Sequence, residues 1–268
     1  MKNKKIIYYE DELNDEVIES KITPINIDEN YVYIHKNPLW NITSIIIQNV
    51  LSMPIKIGYA KTKFRIKYIG KEKLKKAKRE GYFVYANHTQ VFADTFIPSI
   101  PIYPKRNFFI VDAKNVSMGH TKTLIEMLGA IPIPNNKNGM KNFLKTINKR
   151  IEQNYSITIY PEAHIWPYYT KIRPFKDVSF KYPVKLNKPV FCVTNTYQSY
   201  GKNKNHVKMV TYIDGPFFAD KNLTAKEQQQ DLRDRVYKCM TERSKNSNIE
   251  VIEYRKMISK EKELSYEK

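Results

Sequence analysis

The segment Asn87-His88-Thr89-Gln90-Val91-Phe92-Ala93-Asp94 brings an imidazole and a carboxylate into one short stretch of chain. A carboxylate that accepts a hydrogen bond from one ring nitrogen orients the imidazole and leaves the other nitrogen as a base. An alcohol is a poor nucleophile until its proton is being removed, and a positioned base supplies about 10²- to 10⁴-fold. With an ordinary pKa of about 6.5, histidine suits that task near neutral pH. His88 is therefore the candidate base and Asp94 its orienting partner, with Asn87, Thr89 and Gln90 as supporting side chains. The competing reading of the same residues is a surface or capping pair.

A second constellation runs from Tyr160-Pro161-Glu162-Ala163-His164 through Arg173-Pro174-Phe175-Lys176. It sets Glu162, His164, Arg173 and Lys176 among aromatic residues and prolines. Prolines stiffen a loop, and a stiff loop at a strand end makes a platform for a site. The bland alternative is a rigid turn whose aromatics cover the edge of the core.

Other machineries are missing from the sequence. It contains no Gly-x-Ser-x-Gly elbow, no Gly-x-x-x-x-Gly-Lys loop and no dinucleotide glycine fingerprint. The histidines at 35, 88, 120, 164 and 206 are scattered, and no Cys/His set has zinc spacing. Metal, nucleotide-cofactor and covalent-nucleophile chemistry are disfavoured, and no cofactor is expected.

These groups need elements to hold them. Tyr82 to Ala86 reads as a buried strand ending at Asn87-His88, and Ser156 to Tyr160 as another ending at Pro161-Glu162. Asn107 to Val111, Ile131 to Ile133, Val190 to Thr194 and Val207 to Ile213 read as further strands. Between them lie a short helix over Thr121 to Leu128 closed by Gly129, and an amphipathic helix carried by Met140, Phe143, Leu144, Ile147 and Ile151. Thr224 and Glu227 form a capping box for a helix running to about Arg243. Alternating strands and helices predict an α/β fold in one domain, with a mixed, mostly parallel central sheet flanked by helices. His88 and Glu162 both fall past carboxyl ends of strands, the edge where open α/β sheets bind ligands.

The chain divides into an N-terminal arm (1–37) with one strand or extended stretch at Tyr31 to Ile34, an apolar then basic segment (38–80), an α/β catalytic core (81–215) and a C-terminal helical segment (216–268). In the second segment, Trp40 to Ala60 is rich in isoleucine but interrupted by Asn41, Gln48, Asn49, Pro54 and Lys56. It falls short of the roughly 18 to 20 apolar residues a spanning helix needs. It reads either as a core helix or as an element lying in a bilayer interface. Lys61, Lys63, Arg65, Lys67, Lys71 and the following lysines come next, the order that suits an anionic lipid surface.

A net charge of +19 confines partners to polyanions or leaves a solvated basic surface. Nucleic acid is disfavoured, because the basic stretch carries few interleaved aromatics and no nucleic-acid motif. The two cysteines, Cys192 and Cys239, read as buried hydrophobes in a reducing compartment. The apolar run Ile6 to Tyr9 is too short for a signal peptide. Together these point to a cytoplasmic protein peripheral to the inner face of the membrane.

Four blocks in order resemble the glycerolipid acyltransferase family, that of 1-acylglycerol-3-phosphate acyltransferases. Asn87-His88 with Asp94 is similar to its Asn-His-(x)4-Asp block, and Gly129-Ala130-Ile131-Pro132-Ile133 to its second. Tyr160-Pro161-Glu162 resembles Phe-Pro-Glu-Gly-Thr-Arg, followed by the matching Pro174-Phe175-Lys176. Lys188-Pro189-Val190 resembles the fourth. The resemblance covers about residues 60 to 215. It implies His88 as base, Asp94 as its partner and Glu162 at the acceptor. It also implies direct attack of a hydroxyl on an acyl-CoA, acyl carrier protein or acyl phosphate donor, with a lysolipid as acceptor.

The sequence departs from the pattern in three places. Asp94 lies one residue further from His88, which turns a side chain by about 100° on a helix, so the pair needs a loop or bulge to meet. Asn135 and Ile165 stand where the family places arginines that hold the acceptor's phosphate. Either Arg173, Lys176 or His164 is expected to substitute, with Asn135 kept as a candidate, or the acceptor carries no phosphomonoester. The alternatives to a transferase are a basic module that binds anionic lipid without catalysis, and a lipid hydrolase on the same fold.

Overall fold

The computed structural model describes residues 4–18, 20–201 and 206–257. In chain order the elements are β1 (Lys5–Tyr9), α1 (Pro38–Ile45), α2 (Ser52–Phe64), β2 (Lys67–Ile69), β3 (Tyr82–Ala86), α3 (Ser99–Ile102), β4 (Asn107–Val111), α4 (Lys122–Met127), β5 (Ala130–Pro132), α5 (Met140–Glu152), β6 (Ser156–Ile159), α6 (Lys181–Leu186), β7 (Val190–Tyr200), β8 (His206–Phe217), α7 (Ala225–Ser244) and β9 (Ile252–Lys256). A seven-stranded sheet has the order β2-β8-β7-β3-β6-β4-β5, and only the β7–β8 pair is antiparallel. This is the mixed, mostly parallel α/β sheet that the sequence predicts.

Strand β3 explains the layering. Phe83 and Tyr85 join a core with Phe143, Ile147 and Ile151 of α5 and Leu232, Val236 and Met240 of α7. Tyr82, Val84 and Ala86 join a second core on the opposite face with Leu74, Ala77 and Ile102. The strand's period of two therefore feeds both faces, and all five residues are buried. Its parallel neighbour β6 pairs Tyr85 with Ile159, so the two strands release their following loops side by side.

The segment from Pro38 to Phe64 is helical throughout, with a wider π-helical turn at Ile46–Leu51 between α1 and α2. The bulge turns Gln48 inward, where its amide donates to Asn107 O and Leu128 O. Arg106 donates in turn to Gln48 Oε1 and Ser44 Oγ, so a buried polar network fastens this helix to the sheet. Gly129 (φ +104°) leaves room for it, since a Cβ there would lie 2.7 Å from Gln48 Nε2. Among the described residues, no helix is long and apolar enough to cross a membrane.

Several boundaries differ from the sequence expectation. Tyr31 to Ile34 forms no strand; Tyr31 and Tyr33 instead tuck into the core. The arm's strand is β1, which pairs in parallel with β9, Lys5 opposite Ile252, so the C-terminal segment is not purely helical. The sheet begins at β2, inside the basic segment. The helix expected from Thr224 to about Arg243 is found as α7, where Thr224 and Glu227 make the capping box; residues 258–268 of the C-terminal segment lie outside the described residues.

Candidate active site

His88 stands two residues beyond β3 in irregular chain, and Asp94 sits in a short 3₁₀ turn. The loop between them supplies what a regular helix cannot: His88 Nδ1 lies 2.7 Å from Asp94 Oδ2. The same oxygen accepts from Gln90 N at 2.9 Å, which fixes the carboxylate. Burial pushes the Asp94 carboxyl above the usual carboxylate range, opposed by the bonds from His88 and the backbone. His88 Nε2 has no hydrogen-bond partner among the described residues, and the side chain keeps 17% of its surface exposed. Tyr160 stacks on the ring at 4.3 Å between centroids, and its hydroxyl donates to Asp94 O.

The supporting side chains are tied to β7. Asn87 accepts from Asn195 N and donates to Asn195 O, forming a two-bond clasp across the strand end. Gln90 Nε2 donates to the Tyr197 hydroxyl, which donates to Thr89 Oγ1. Asn195 and Tyr197 were not legible as site residues, because they sit within a continuous strand pattern.

Glu162 bridges the loops that follow β3 and β6. Its Oε2 accepts from His88 N at 2.9 Å and its Oε1 from Arg173 N at 3.0 Å, with the residue 3% exposed. Burial raises its pKa, while the His88 N–H and then the Arg173 charge oppose the rise. The carboxylate thus joins the two loops through their backbones. Two further backbone bonds, Trp166 N to His88 O and Tyr168 N to Thr89 O, complete this seam.

Arg173 is fully buried, and its guanidinium donates to the carbonyls of Glu12, Leu13 and His164 under the Trp166 ring. All three of its nitrogens are so engaged, and the side chain does not reach the surface. Asn135 is likewise occupied, accepting from Ile27 N and donating to Ile25 O, and so pins the N-terminal arm. His164 is half-buried in the turn after Glu162, and Lys176 is exposed. Of the expected substitutes, only these two leave their side chains uncommitted.

Ala163 occupies the left-handed region at φ +65°. The resembling family pattern has glycine there, and the backbone supplies the reason.

Cys192, Cys239 and Asp214 have ligating atoms within 4.8 Å, and the two sulfurs are 3.5 Å apart. Asp214 is already paired with Lys73 at 2.6 Å and Arg243 at 2.7 Å, two cations that oppose a metal ion. A groove of about 570 Å³ lies between residues 29–36 and α5 and touches none of the site residues.

The chain is similar to known proteins in two respects. Residues 65–195 match the model of the Acyltransferase family. The solved structure of the 1-acyl-sn-glycerophosphate acyltransferase PlsC from Thermotoga maritima aligns with a TM-score of 0.53 at 17% identity, covering 79% of this chain and 89% of that one. At that identity the likeness is one of fold. No curated protein matches the sequence significantly.

Proposed function

We propose that this chain, an acyltransferase-family member over residues 65–195, moves a fatty acyl group onto a hydroxyl of a lysophospholipid or related glycerolipid, with His88 as general base. The observation that carries the reading is the His88–Asp94 pair at 2.7 Å with Nε2 left unengaged. An incoming hydroxyl gives its proton to Nε2 as its oxygen attacks the acyl carbonyl carbon of the donor. The bond to the donor's leaving group then breaks, and the proton passes to that group. Asp94 holds the ring's tautomer and offsets the imidazolium charge. The thiols of Cys192 and Cys239 lie in the core and the α7 packing, which favours direct attack over an acyl-enzyme. The donor is an acyl-CoA, an acyl carrier protein or an acyl phosphate.

We infer further that the enzyme works on an anionic membrane surface. Leu39, Ile42, Ile46, Val50, Leu51 and Ile55 are between 43% and 70% exposed on the outer side of the helix from Pro38 to Phe64. Tyr59 contacts Phe92, which is 60% exposed on the His88–Asp94 loop, so the apolar surface continues to the site. An exposed apolar face of this kind, followed by exposed Lys61, Lys63, Arg65 and Lys67, suits a lipid bilayer with anionic headgroups.

The test is acyl transfer from a labelled donor to a panel of lysolipids, with wild type and His88→Ala compared for rate and fold. Loss of transfer with unchanged circular dichroism supports the base. Retention of more than a few per cent of the rate removes His88 from the mechanism. Vesicle binding without transfer points to a binding module, and release of free fatty acid points to a hydrolase.

A further inference from the structure

Helix α2 carries one inversion of polarity. Its inward stripe is Met53, Lys56, Ala60 and Phe64, all buried, while Ile55 next to Lys56 is 69% exposed. Lys56 is itself only 3% exposed. Its ammonium has no hydrogen bond or ion pair among the described residues; the partner it does have is the Phe96 ring, centred 6.0 Å away. Phe96 belongs to the loop that carries Asp94, and its amide bonds to Ala93 O.

Other inward-leaning lysines are satisfied. Lys73 pairs with Asp214, and Lys105 donates to the carbonyls of Glu80 and Asn154. A lysine this buried, with no acceptor for its ammonium among the described residues, costs free energy, and a methionine or leucine would complete the stripe better. The position is therefore held at the expense of the ligand-free fold, which is the mark of a group kept for a bound anion. The acyl-transfer substrates are anions, and the chain lacks arginines at 135 and 165.

We propose that Lys56 is a substrate-binding cation that takes a phosphate group carried by the acceptor's headgroup or by the donor. This rests on the reaction proposed at His88. An ammonium in a largely desolvated slot makes a charge-assisted bond to a phosphate oxygen, and a neutral headgroup offers no such partner.

The test compares wild type with Lys56→Met and Lys56→Arg. Without ligand, Lys56→Met raises the melting temperature by a few degrees, since an apolar side chain of similar length fills the slot. A lower melting temperature would make Lys56 a structural residue and overturn the proposal. In the transfer assay, Lys56→Met raises the KM of one phosphorylated substrate about 10- to 100-fold, with a smaller change in kcat. If that substrate is lysophosphatidate, its preference over monoacylglycerol falls by the same factor and the phosphate is the acceptor's. If it is acyl-CoA, the phosphate is the donor's. Lys56→Arg keeps most of the affinity. Unchanged KM values for both substrates refute Lys56 alone, provided wild type transfers acyl groups. Should wild type transfer none, the reaction at His88 fails and a binding measurement decides Lys56. Short-chain lysophosphatidate or CoA then raises the melting temperature of wild type but not of Lys56→Met; an equal shift in both overturns the proposal.

Discussion

Asp94 holds His88 through a loop that backtracks, so that a carboxylate six positions downstream meets the ring at 2.7 Å. The carboxylate also accepts from Gln90 N, and the Tyr160 hydroxyl donates to the Asp94 carbonyl. The carboxylate is thus fixed before any substrate arrives.

Replacing it tests whether that fixation serves chemistry. Asp94→Asn is expected to lower kcat about 100-fold or more, because an amide stabilises neither the required tautomer nor the imidazolium. Steady-state rates on the best acceptor provide the measurement. A rate within threefold of wild type would reduce Asp94 to a loop-forming residue.

Ala163 carries backbone strain that glycine lacks. A left-handed alanine costs about 1–2 kcal/mol, and glycine's larger unfolded-state entropy returns about half of that. Ala163→Gly is therefore expected to raise unfolding stability by about 0.5–1 kcal/mol, read as a shift in the urea midpoint at constant slope. A midpoint that falls would show the turn to be more costly for glycine than its φ implies.

The exposed apolar face makes a separable prediction. Replacing Ile42, Leu51 and Ile55 together by serine should cut binding to anionic vesicles at least about tenfold, through lost apolar burial. Stability should change by less than about 0.5 kcal/mol per site, because these side chains already face solvent. Sedimentation with vesicles and a thermal melt together separate the two effects. Undiminished binding would move the lipid contact to the lysines alone, and raising the salt would then abolish it.

Lys56 gives a pH signature. Burial pulls its pKa from 10.5 down to about 8. Between those values the unfolded chain still binds the proton that the folded chain has released, so this group's contribution to stability rises with pH. Lys56→Met lacks that rise. Its stability advantage over wild type should be largest below pH 8 and shrink between about pH 8 and 10.5, as followed by urea unfolding across that range. An advantage independent of pH would mean that the ammonium is solvated in the folded protein.

The parts of the fold that were legible in sequence are those with a local period. Helix α5 displays its period directly, strand β3 shows as a short unbroken apolar run, and Thr224 with Glu227 announces a helix start. His88, Asp94 and Glu162 were legible as a group because strand ends place such residues together, yet the part Glu162 plays was not. Nothing local tells a carboxylate that accepts two backbone amides from one that faces a substrate. The partners of Arg173 were hidden for a related reason: they include carbonyls of Glu12 and Leu13, about 160 residues away in sequence, and carbonyls leave no trace in residue types. Tyr31 to Ile34 has strand composition but pairs with no strand among the described residues, and Tyr31 and Tyr33 pack in the core instead. Lys56 looked like an interruption of an apolar run; its meaning emerges only once the inward stripe is known.

The parallel pairing of β1 with β9 also carries a consequence for biosynthesis. Lys5 cannot meet Ile252 until nearly the whole described chain has left the ribosome. The stretch just after β1 lends its carbonyls to Arg173, and Tyr254 of β9 stacks on Trp166 beside them. A nascent chain therefore carries His88 long before the brace behind it can form, because that brace waits for Ile252–Lys256 to be made.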